Sequence, residues 1–215
     1  MDTTDMSIGR IIMTNACVSE GAEWLAAQDA RFARAMELTG PLPLRRKSDG
    51  FDQLLNAIVG QQVSVASANA IWAKLQSAEM TDAATVATTS EEDLRALGLS
   101  RQKARYAKAL AAADIDFAAL RVAPTDEVIK KLVAVPGIGP WTAEIYAMFS
   151  LGRADVFAHG DLALQEAARV LLDLPARPTE KEMRAIAAAW SPWRSVAARV
   201  LWAYYRVIKE REGIR

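Results

Sequence analysis

The sequence predicts an all-α protein. Alanine and leucine dominate runs whose apolar residues recur at helical spacing, while the apolar–polar alternation of half-buried strands is scarce. Capping and turn residues separate these runs at short intervals. The 215 residues are 52% hydrophobic and 24% charged, a composition that supplies enough apolar surface for a packed core.

Capping residues mark the expected helix starts. Ser19, Ser90 and Ser100 each precede a helical run as N-caps. Thr179 precedes another run and has Glu182 three residues later, which is a capping box. We predict helices over residues 19–38, 50–60, 64–77, 81–86, 90–97, 101–112, 116–121, 125–134, 141–149, 161–172, 179–189 and 193–211, with short extended pieces around 8–14.

Helical hairpins organise the middle of the chain. The segment PLPLRRKSDG at 41–50 is the clearest linker, but nothing marks an independent domain boundary. The segments 94–110 and 132–148 both contain a helix, a Gly-containing turn and a second helix. Repeated hairpins fit one all-α domain, although glycine that merely caps two ordinary helices explains the first segment equally well.

Residues that bind metals or form disulfides are scarce. The single cysteine, Cys17, excludes an internal disulfide and a four-cysteine zinc or iron–sulfur site within one chain, and His159 is the single histidine. We therefore expect no cofactor and no metal bound by side chains. No apolar run is long enough to span a bilayer and the N-terminus does not resemble a signal peptide, so we expect a cytosolic protein with no membrane partner, associated with the nucleoid if bacterial.

The formal net charge is zero, from 26 basic and 26 acidic residues. Bulk charge therefore gives no argument for a nucleic-acid partner, and a duplex binder of this composition must collect its basic residues on one face. Two stretches lean basic, RRK at 45–47 and the segment from Arg194 to Arg215. Stretches of this kind are usually only solvated faces.

The segment PGIGPWTA interrupts two helical runs with two prolines and two glycines. Gly137 and Gly139 can adopt positive φ and expose N–H groups just before a helix that begins near Pro140. The positive end of that helix makes the turn a candidate anion nest, which binds a backbone phosphate whatever the base sequence. A plain corner between two helices is the alternative.

A candidate catalytic carboxylate follows in the segment DVFAHGDLALQ. Asp161 directly precedes a helical run and can serve as an N-cap alone. A carboxylate held by helix N–H groups is also rigidly aimed, so it can stabilise a developing sugar cation or orient a water molecule. Asp155 is the competing carboxylate, and we favour Asp161 because Asp155 follows LGRA, which is typical of a surface turn.

Aromatic and amide side chains complete the candidate residues. Trp141 begins a helix beside the proposed nest, and Trp202 shares a helix with Arg194 and Arg199, so an indole could stack on a cationic base. Most tryptophans of an all-α protein lie in the core instead. The glutamine pair in IVGQQVSVASA is either a polar helix break or the source of a side chain that fills the gap left by an extruded nucleotide.

Four segments together resemble the helix-hairpin-helix DNA glycosylases of the 3-methyladenine DNA glycosylase II type. IVGQQVSVASA is similar to that family's G-Q-[QL]-[IV]-S segment, and VPGIGPWTAEI is similar to its hairpin. DVFAHGDLALQ resembles its D-x-F-P-x-D-D-L-x-[LI] catalytic segment, and WSPWRSVAARVLW resembles its W-x-P-W-R-S-x-A helix. The resemblance covers roughly residues 50–206.

This resemblance implies a two-lobed helical bundle. It implies one domain over residues 1–215, with two helical subdomains, a cleft between them, and residues 1–49 packing with the C-terminal helices. It also implies Asp161 as the catalytic aspartate and Trp141 and Trp202 as walls of the damaged-base pocket. The DNA-binding residues that it implies are the wedge Gln62 together with Ser64, Gly137, Ile138, Gly139 and Thr142. A monovalent cation on main-chain carbonyls of the hairpin is a further implied feature.

Departures from the family pattern refine the expected chemistry. Ala158, His159 and Gly160 stand where family members usually have a proline and a second acid, so the supporting charge beside Asp161 is missing. Relatives with lyase activity have a lysine at the position of Trp141, where its amine forms a Schiff base. Tryptophan cannot do this, so water is the expected nucleophile. About 50 residues precede the core, too few for the β-rich domain of larger bacterial members.

We therefore expect a monomeric, monofunctional glycosylase that acts on double-stranded DNA. It flips alkylated purines of the 3-methyladenine and 7-methylguanine class and hydrolyses their N-glycosidic bond in base excision repair. The alternatives are a glycosylase for hypoxanthine, ethenoadenine or uracil, and a non-catalytic DNA-binding protein that kept the hairpin.

Overall fold

The computed structural model describes residues 8–211, and Glu210 is the last residue whose side chain it describes. The first seven residues and the end of the basic C-terminal stretch, including Arg215, lie outside this range. The helices in chain order are α1 (Asn15–Gln28), α2 (Ala30–Thr39), α3 (Phe51–Gly60), α4 (Val65–Ser77), α5 (Ala83–Thr88), α6 (Glu91–Ala96), α7 (Arg101–Ala112), α8 (Phe117–Val122), α9 (Thr125–Val133), α10 (Pro140–Phe149), α11 (Leu162–Leu171), α12 (Glu180–Ala187) and α13 (Arg194–Arg211), with a 3-10 turn at Ala188–Trp190.

The all-α prediction is confirmed for the described residues. Within residues 8–211, the extended pairing is limited to an isolated antiparallel bridge between Ile11 and Arg153. Ser90 and Ser100 cap α6 and α7 as expected. Thr179 and Glu182 form the predicted capping box at the start of α12.

The predicted helix over 19–38 is wrong in two respects. Its N-cap is Thr14 rather than Ser19, which lies inside α1. The run is also split at Asp29, whose backbone is extended and whose carboxylate accepts the N–H of Arg31 at 2.9 Å. Aspartate offers the backbone this local hydrogen bond in place of a helical one, so a continuous apolar pattern is divided into α1 and α2.

The described chain forms two compact units. The terminal unit contains the residues up to Arg46 and those from Ala147 onward, and the central unit is Lys47–Tyr146. In the terminal unit, α13 packs against α1, α2 and α11. Phe32 and Trp190 meet edge to face in its core, with ring centroids 5.5 Å apart.

The central unit is built around α7. This helix packs against α3, α5 and α6, and α3 also packs against α4. Leu54, Leu55 and Ile58 of α3 are fully buried, as are Ala104 and Ala107 of α7. The small side chains on α7 leave a groove on that helix, and the large side chains of α3 pack into it, so the two helices approach closely.

Membrane insertion by a helix finds no support in residues 8–211, since none of the helices there is both long and apolar enough to cross a bilayer.

Candidate functional site

The hairpin that joins α9 to α10 lies in the central unit. The chain leaves α9 through a tight turn in which the N–H of Val135 bonds the Leu132 carbonyl at 3.1 Å. The N–H of Ile138 then bonds the Val135 carbonyl at 3.0 Å, and the Ile138 side chain is buried. This buried anchor holds the turn against its unit, so Ile138 can contribute only its backbone to a ligand.

The two hairpin glycines have different reasons to be glycine. Gly137 has φ +94°, and a Cβ there would lie 2.4 Å from Cγ of Tyr106. Gly139 can adopt positive φ but does not do so here, and a Cβ there would meet no atom within 4 Å. Gly137 therefore serves the fold, while Gly139 leaves open space in front of α10.

The hairpin also contains N–H groups that form no hydrogen bond within the described residues. Neither the Gly137 nor the Gly139 N–H has an acceptor among residues 8–211. Both precede the first turn of α10, where the helix dipole is positive. Unsatisfied N–H groups at a helix N-terminus can form an anion site, so this geometry is compatible with the predicted phosphate nest.

Trp141 and Thr142 follow at the start of α10 and differ in exposure. The Trp141 side chain is 48% exposed, which is high for an aromatic residue of an all-α protein. Thr142 is only 7% exposed. A contact between Thr142 and DNA would therefore come from its backbone N–H and not from its hydroxyl.

The glutamine segment lies beside the hairpin in the same unit. Gln62 is exposed and has φ +55°, a left-handed conformation that is uncommon outside glycine. Ser64 caps α4 by accepting the Ser67 N–H at 3.2 Å. The segment is therefore a sharp, exposed turn between two helices, which holds the Gln62 side chain out from the surface.

Sequence reasoning missed Gln61. Its side-chain amide donates to the Gly137 carbonyl at 2.9 Å, which links the glutamine segment to the hairpin across 76 positions of sequence. The only available signal was that two glutamines stand side by side. The two linked segments line one groove of about 520 Å³ in the central unit, and α7 with its N-cap Ser100 forms another side of it. The residues that line the groove are Gln61, Gln62, Val63, Ser100, Gln102, Lys103, Tyr106, Gly137, Ile138 and Gly139.

Asp161 lies in the terminal unit as the N-cap of α11. Its Oδ1 accepts the N–H groups of Ala163 and Leu164 at 2.9 and 3.0 Å. Two hydrogen bonds to one oxygen fix the plane of the carboxylate. The neighbouring Leu162 side chain is 61% exposed, so this helix start is at the surface of its unit.

The first two residues of the segment before Asp161, Ala158 and His159, are buried, and Gly160 is exposed. Ala158 is fully buried, and His159 is 4% exposed with its ring 5.3 Å from that of Phe157. His159 thus lies in the turn before α11 with its side chain packed against the protein interior. A Cβ at Gly160 would lie 3.5 Å from Oε2 of Glu180, so a carboxylate from α12, which sequence reasoning missed, stands beside the position of the absent acid.

Asp155 lies in a bend and is part-buried, with 30% of its side chain exposed. Its carboxylate accepts hydrogen bonds from Arg194 Nε at 2.6 Å and from the Ser191 hydroxyl at 2.9 Å. Burial acts to raise the pKa of Asp155, but the hydrogen bonds from Arg194 and Ser191 outweigh burial and hold that pKa below its usual range. This carboxylate is engaged in a structural ion pair, which leaves Asp161 the better catalytic candidate.

Trp202 of α13 is half-buried in the terminal unit. Its ring packs on Phe149, with centroids 5.8 Å apart, and the guanidinium of Arg45 lies 5.8 Å from the Trp202 centroid. Part of the ring surface expected to face a base is therefore covered by protein. Arg199, which shares the helix, is buried and 1% exposed, so it does not extend a basic surface.

The hairpin offers main-chain oxygens and no metal-binding side chains. Among residues 8–211, no cluster of three or more His, Cys, Asp or Glu side chains could hold a metal ion. The carbonyls of Val135, Gly137 and Gly139 each accept one hydrogen bond, and each keeps a second lone pair. Carbonyl oxygens suit a monovalent cation, so the donor type fits the implied ion, and no step of the chemistry needs it.

Comparisons with known proteins show the family of this chain. A family model described as HhH-GPD superfamily base excision DNA repair protein matches residues 55–193. The chain is 34% identical over 122 residues to a putative DNA-3-methyladenine glycosylase, YfjP, of Bacillus subtilis, a match over 55% of this chain and 42% of that protein. The chain thus spans less than half of that relative.

Two solved structures match over nearly their full length. The crystal structure of DNA-3-methyladenine glycosidase from Bacillus halodurans has a TM-score of 0.78 and 33% identity, over 88% of this chain and 91% of that chain. The Schizosaccharomyces pombe 3-methyladenine DNA glycosylase Mag1, in complex with abasic DNA, has a TM-score of 0.73 and 28% identity, over 85% of this chain and 95% of that chain.

Proposed function

Because this chain belongs to the HhH-GPD superfamily of base excision DNA repair proteins, we propose that it is a monofunctional DNA glycosylase that removes alkylated purines from double-stranded DNA. The residues described above supply the three abilities that such a reaction needs. They bind backbone phosphate, fill the space of an extruded nucleotide and stabilise a sugar cation.

Binding and flipping belong to the central unit. The N–H groups of Gly137 and Gly139 and the positive end of α10 hold a DNA phosphate without reading the sequence. Gln62 enters the base stack when the damaged nucleotide leaves it. Flipping costs a few kcal/mol and costs least where damage already weakens pairing, so the wedge favours damaged sites before any chemistry occurs.

Bond cleavage belongs to Asp161. An N-alkylated purine carries a positive charge and leaves with the electron pair of the glycosidic bond, so little general-acid catalysis is needed. The sugar then has oxocarbenium character, and a fixed negative charge stabilises it. Water adds to the sugar carbon and loses a proton, which completes hydrolysis. The two N–H groups that hold Oδ1 at 2.9 and 3.0 Å are the observation that carries this proposal.

Trp141 at this position means that the sugar forms no Schiff base with the enzyme. An enzyme amine at this position would attack the sugar and form a Schiff base. An indole nitrogen is not nucleophilic, so the product is an intact abasic strand. The Trp141 ring is 48% exposed, and stacking of such a ring on a cationic base gains about 0.5–2 kcal/mol by cation–π attraction.

The test replaces the carboxylate of Asp161 and keeps its cap. Asp161→Asn retains an oxygen that accepts helix N–H groups, because asparagine caps helices as well as aspartate does. We expect single-turnover release of 3-methyladenine from alkylated duplex DNA to fall at least about 100-fold. Asp82→Asn is the matched control, since Asp82 caps α5 in the same way through the Thr85 N–H at 2.9 Å, and it should keep full activity.

Undiminished release by Asp161→Asn would falsify the catalytic role. A panel of lesion duplexes defines the substrate. Excision of 3-methyladenine and 7-methylguanine supports the proposal, whereas excision of only hypoxanthine, ethenoadenine or uracil contradicts the substrate class. Release of no base by the wild type contradicts the activity itself. We further propose that the protein acts as a monomer on chromosomal DNA in the cytoplasm.

A further inference from the structure

Four arginines of the terminal unit share a region without acidic partners. Within residues 8–211, none of Arg45, Arg46, Arg199 and Arg206 forms an ion pair with a carboxylate. The chain as a whole is neutral, so this local excess of positive charge is not a consequence of composition. Cations in a group repel one another, and a bound anion would relieve that repulsion.

Two of the arginines are occupied by backbone carbonyls. Arg46 Nη1 donates to the Ser150 carbonyl at 2.9 Å, at the C-terminal end of α10. Arg199 Nη2 donates to the Leu44 carbonyl at 3.0 Å, and its Nη1 donates to the Ser195 carbonyl at 2.8 Å. The chain is therefore held on both sides of Arg45, at Leu44 and at Arg46.

Arg45 is held in a strained conformation between these clamps. Its φ is +53°, and non-glycine residues at positive φ persist only when their surroundings enforce them. Its guanidinium lies over Trp202, and none of its N–H groups has a hydrogen-bond acceptor among residues 8–211. A planar fork of donors is thus fixed over an aromatic ring with nothing to bind.

The electrostatic surroundings of this fork are positive. Burial lowers the pKa of Arg45, and the charge of Arg206 lowers it further. Burial, followed by the charges of Arg45 and Arg46, lowers the pKa of Arg199 to about 10. Each of these directions means that the cationic form lacks compensation inside the protein, which an external anion would supply.

We propose that the guanidinium of Arg45, stacked over Trp202 and reinforced by the charge of Arg206, binds one phosphodiester group of the DNA substrate. The inference rests on the proposed function, because it takes duplex DNA as the ligand. Arginine matches two phosphate oxygens with parallel hydrogen bonds, and a guanidinium already oriented by a ring loses less freedom on binding. The terminal unit then has a DNA contact of its own, separate from the hairpin of the central unit.

Salt dependence of DNA binding tests the assignment. Each phosphate neutralised by a cation contributes about 0.9 to the slope of log K against log salt concentration for duplex DNA. We expect Arg45→Gln to lower this slope by about 0.9, so that its affinity deficit shrinks roughly 3.5-fold between 50 and 200 mM salt. The measurement is fluorescence anisotropy of a duplex that contains a tetrahydrofuran abasic-site analogue.

Matched variants separate charge from structure. Arg34→Gln is the control, because Arg34 is exposed on α2 of the same unit and has no ion-pair partner among the described residues; it should leave the slope unchanged. Arg206, like Arg34, is exposed, but Arg206→Gln should lower the slope because its charge reinforces the proposed phosphate site. Arg45→Lys should keep the slope, since it keeps the charge. Melting temperatures establish that each variant is folded.

The outcomes distinguish this inference from the proposed function. An unchanged slope for Arg45→Gln in a folded, active enzyme overturns the phosphate contact and leaves the glycosylase assignment intact. An Arg45→Lys slope as low as that of Arg45→Gln also overturns it, because it would indicate a structural role of the stack. A wild type that binds duplex DNA but releases no base defeats the proposed function, and the slope comparison still decides the role of Arg45.

Discussion

Replacing Gly137 by alanine perturbs the hairpin in two ways whose sizes follow from its geometry. The residue would keep φ near +94°, a backbone conformation that costs a non-glycine residue about 1–3 kcal/mol. Its Cβ would lie 2.4, 2.6 and 2.7 Å from three side-chain carbons of Tyr106, whereas unstrained carbon contacts are about 3.5–4.0 Å. Relieving such overlap typically costs about 1–3 kcal/mol.

The expected loss of stability for Gly137→Ala is therefore about 2–6 kcal/mol. For a chain of this length, that corresponds to a melting temperature lower by about 4–24 °C. The assay is urea denaturation with a parallel thermal melt. A double-mutant cycle with Tyr106→Ala isolates the overlap with the ring, because removing the ring should restore that part of the steric loss. The contact with the Cβ of residue 106, at 2.7 Å, and the backbone part of the loss should remain.

Gly139→Ala is the matched control, because its Cβ meets no atom within 4 Å and its φ is not positive. We expect it to change stability by less than about 0.5 kcal/mol but to weaken DNA binding, since the methyl group occupies the space in front of the hairpin N–H groups. The reasoning is refuted if Gly137→Ala is as stable as the wild type, or if Gly139→Ala is equally destabilised.

Two further predictions concern carboxylates of the terminal unit. Gly160→Asp, which restores an acid beside Asp161, should lower stability by up to about 1 kcal/mol, because the new carboxylate lies beside that of Glu180. Denaturant titration should show that stability recovers in the Gly160→Asp/Glu180→Gln double variant and is not lost in Gly160→Asn. Equal stability of the Asp and Asn variants would contradict the expected repulsion. Asp155→Asn should cost about 1–2 kcal/mol at pH 7. The folded pKa of Asp155 lies below its unfolded value of about 3.9, so its stabilisation is complete above that pH and is lost as the pH falls through the folded pKa. Thermal melts of wild type and variant should therefore converge once the pH is below the folded pKa of Asp155, and a gap that persists there would mean that the carboxylate acts through packing and not through its charge.

Features set by neighbouring residues were predictable. Two glycines and two prolines in eight residues specify a turn between helices, because their backbone preferences act locally. The capping positions of Asp161 and Thr179 follow from hydrogen bonds that span two or three residues. The catalytic and phosphate-binding candidates could therefore be named without coordinates.

Local reasoning failed where two local preferences competed. The continuous apolar pattern of residues 19–38 predicted one helix, yet Asp29 ends α1 and caps α2. The helical pattern and the capping preference of aspartate act on the same residue, and only the packing of the two helices decides between them. Similarly, the four residues LGRA predicted only a surface turn at Asp155 and gave no sign of its ion pair with the distant residue Arg194.

Sequence patterns alone thus determined the fold class, the hairpin, the cap at Asp161 and the absence of a lysine at position 141, because each depends on residues close together in the chain. Contacts across long separations depended on the folded chain: Gln61 bonds the Gly137 carbonyl, Glu180 stands beside Gly160, and Arg45 lies over Trp202. The spacing of residues along the sequence does not predict such pairs, because the free energy that brings them together comes from the packing of whole helices and not from the pairs themselves.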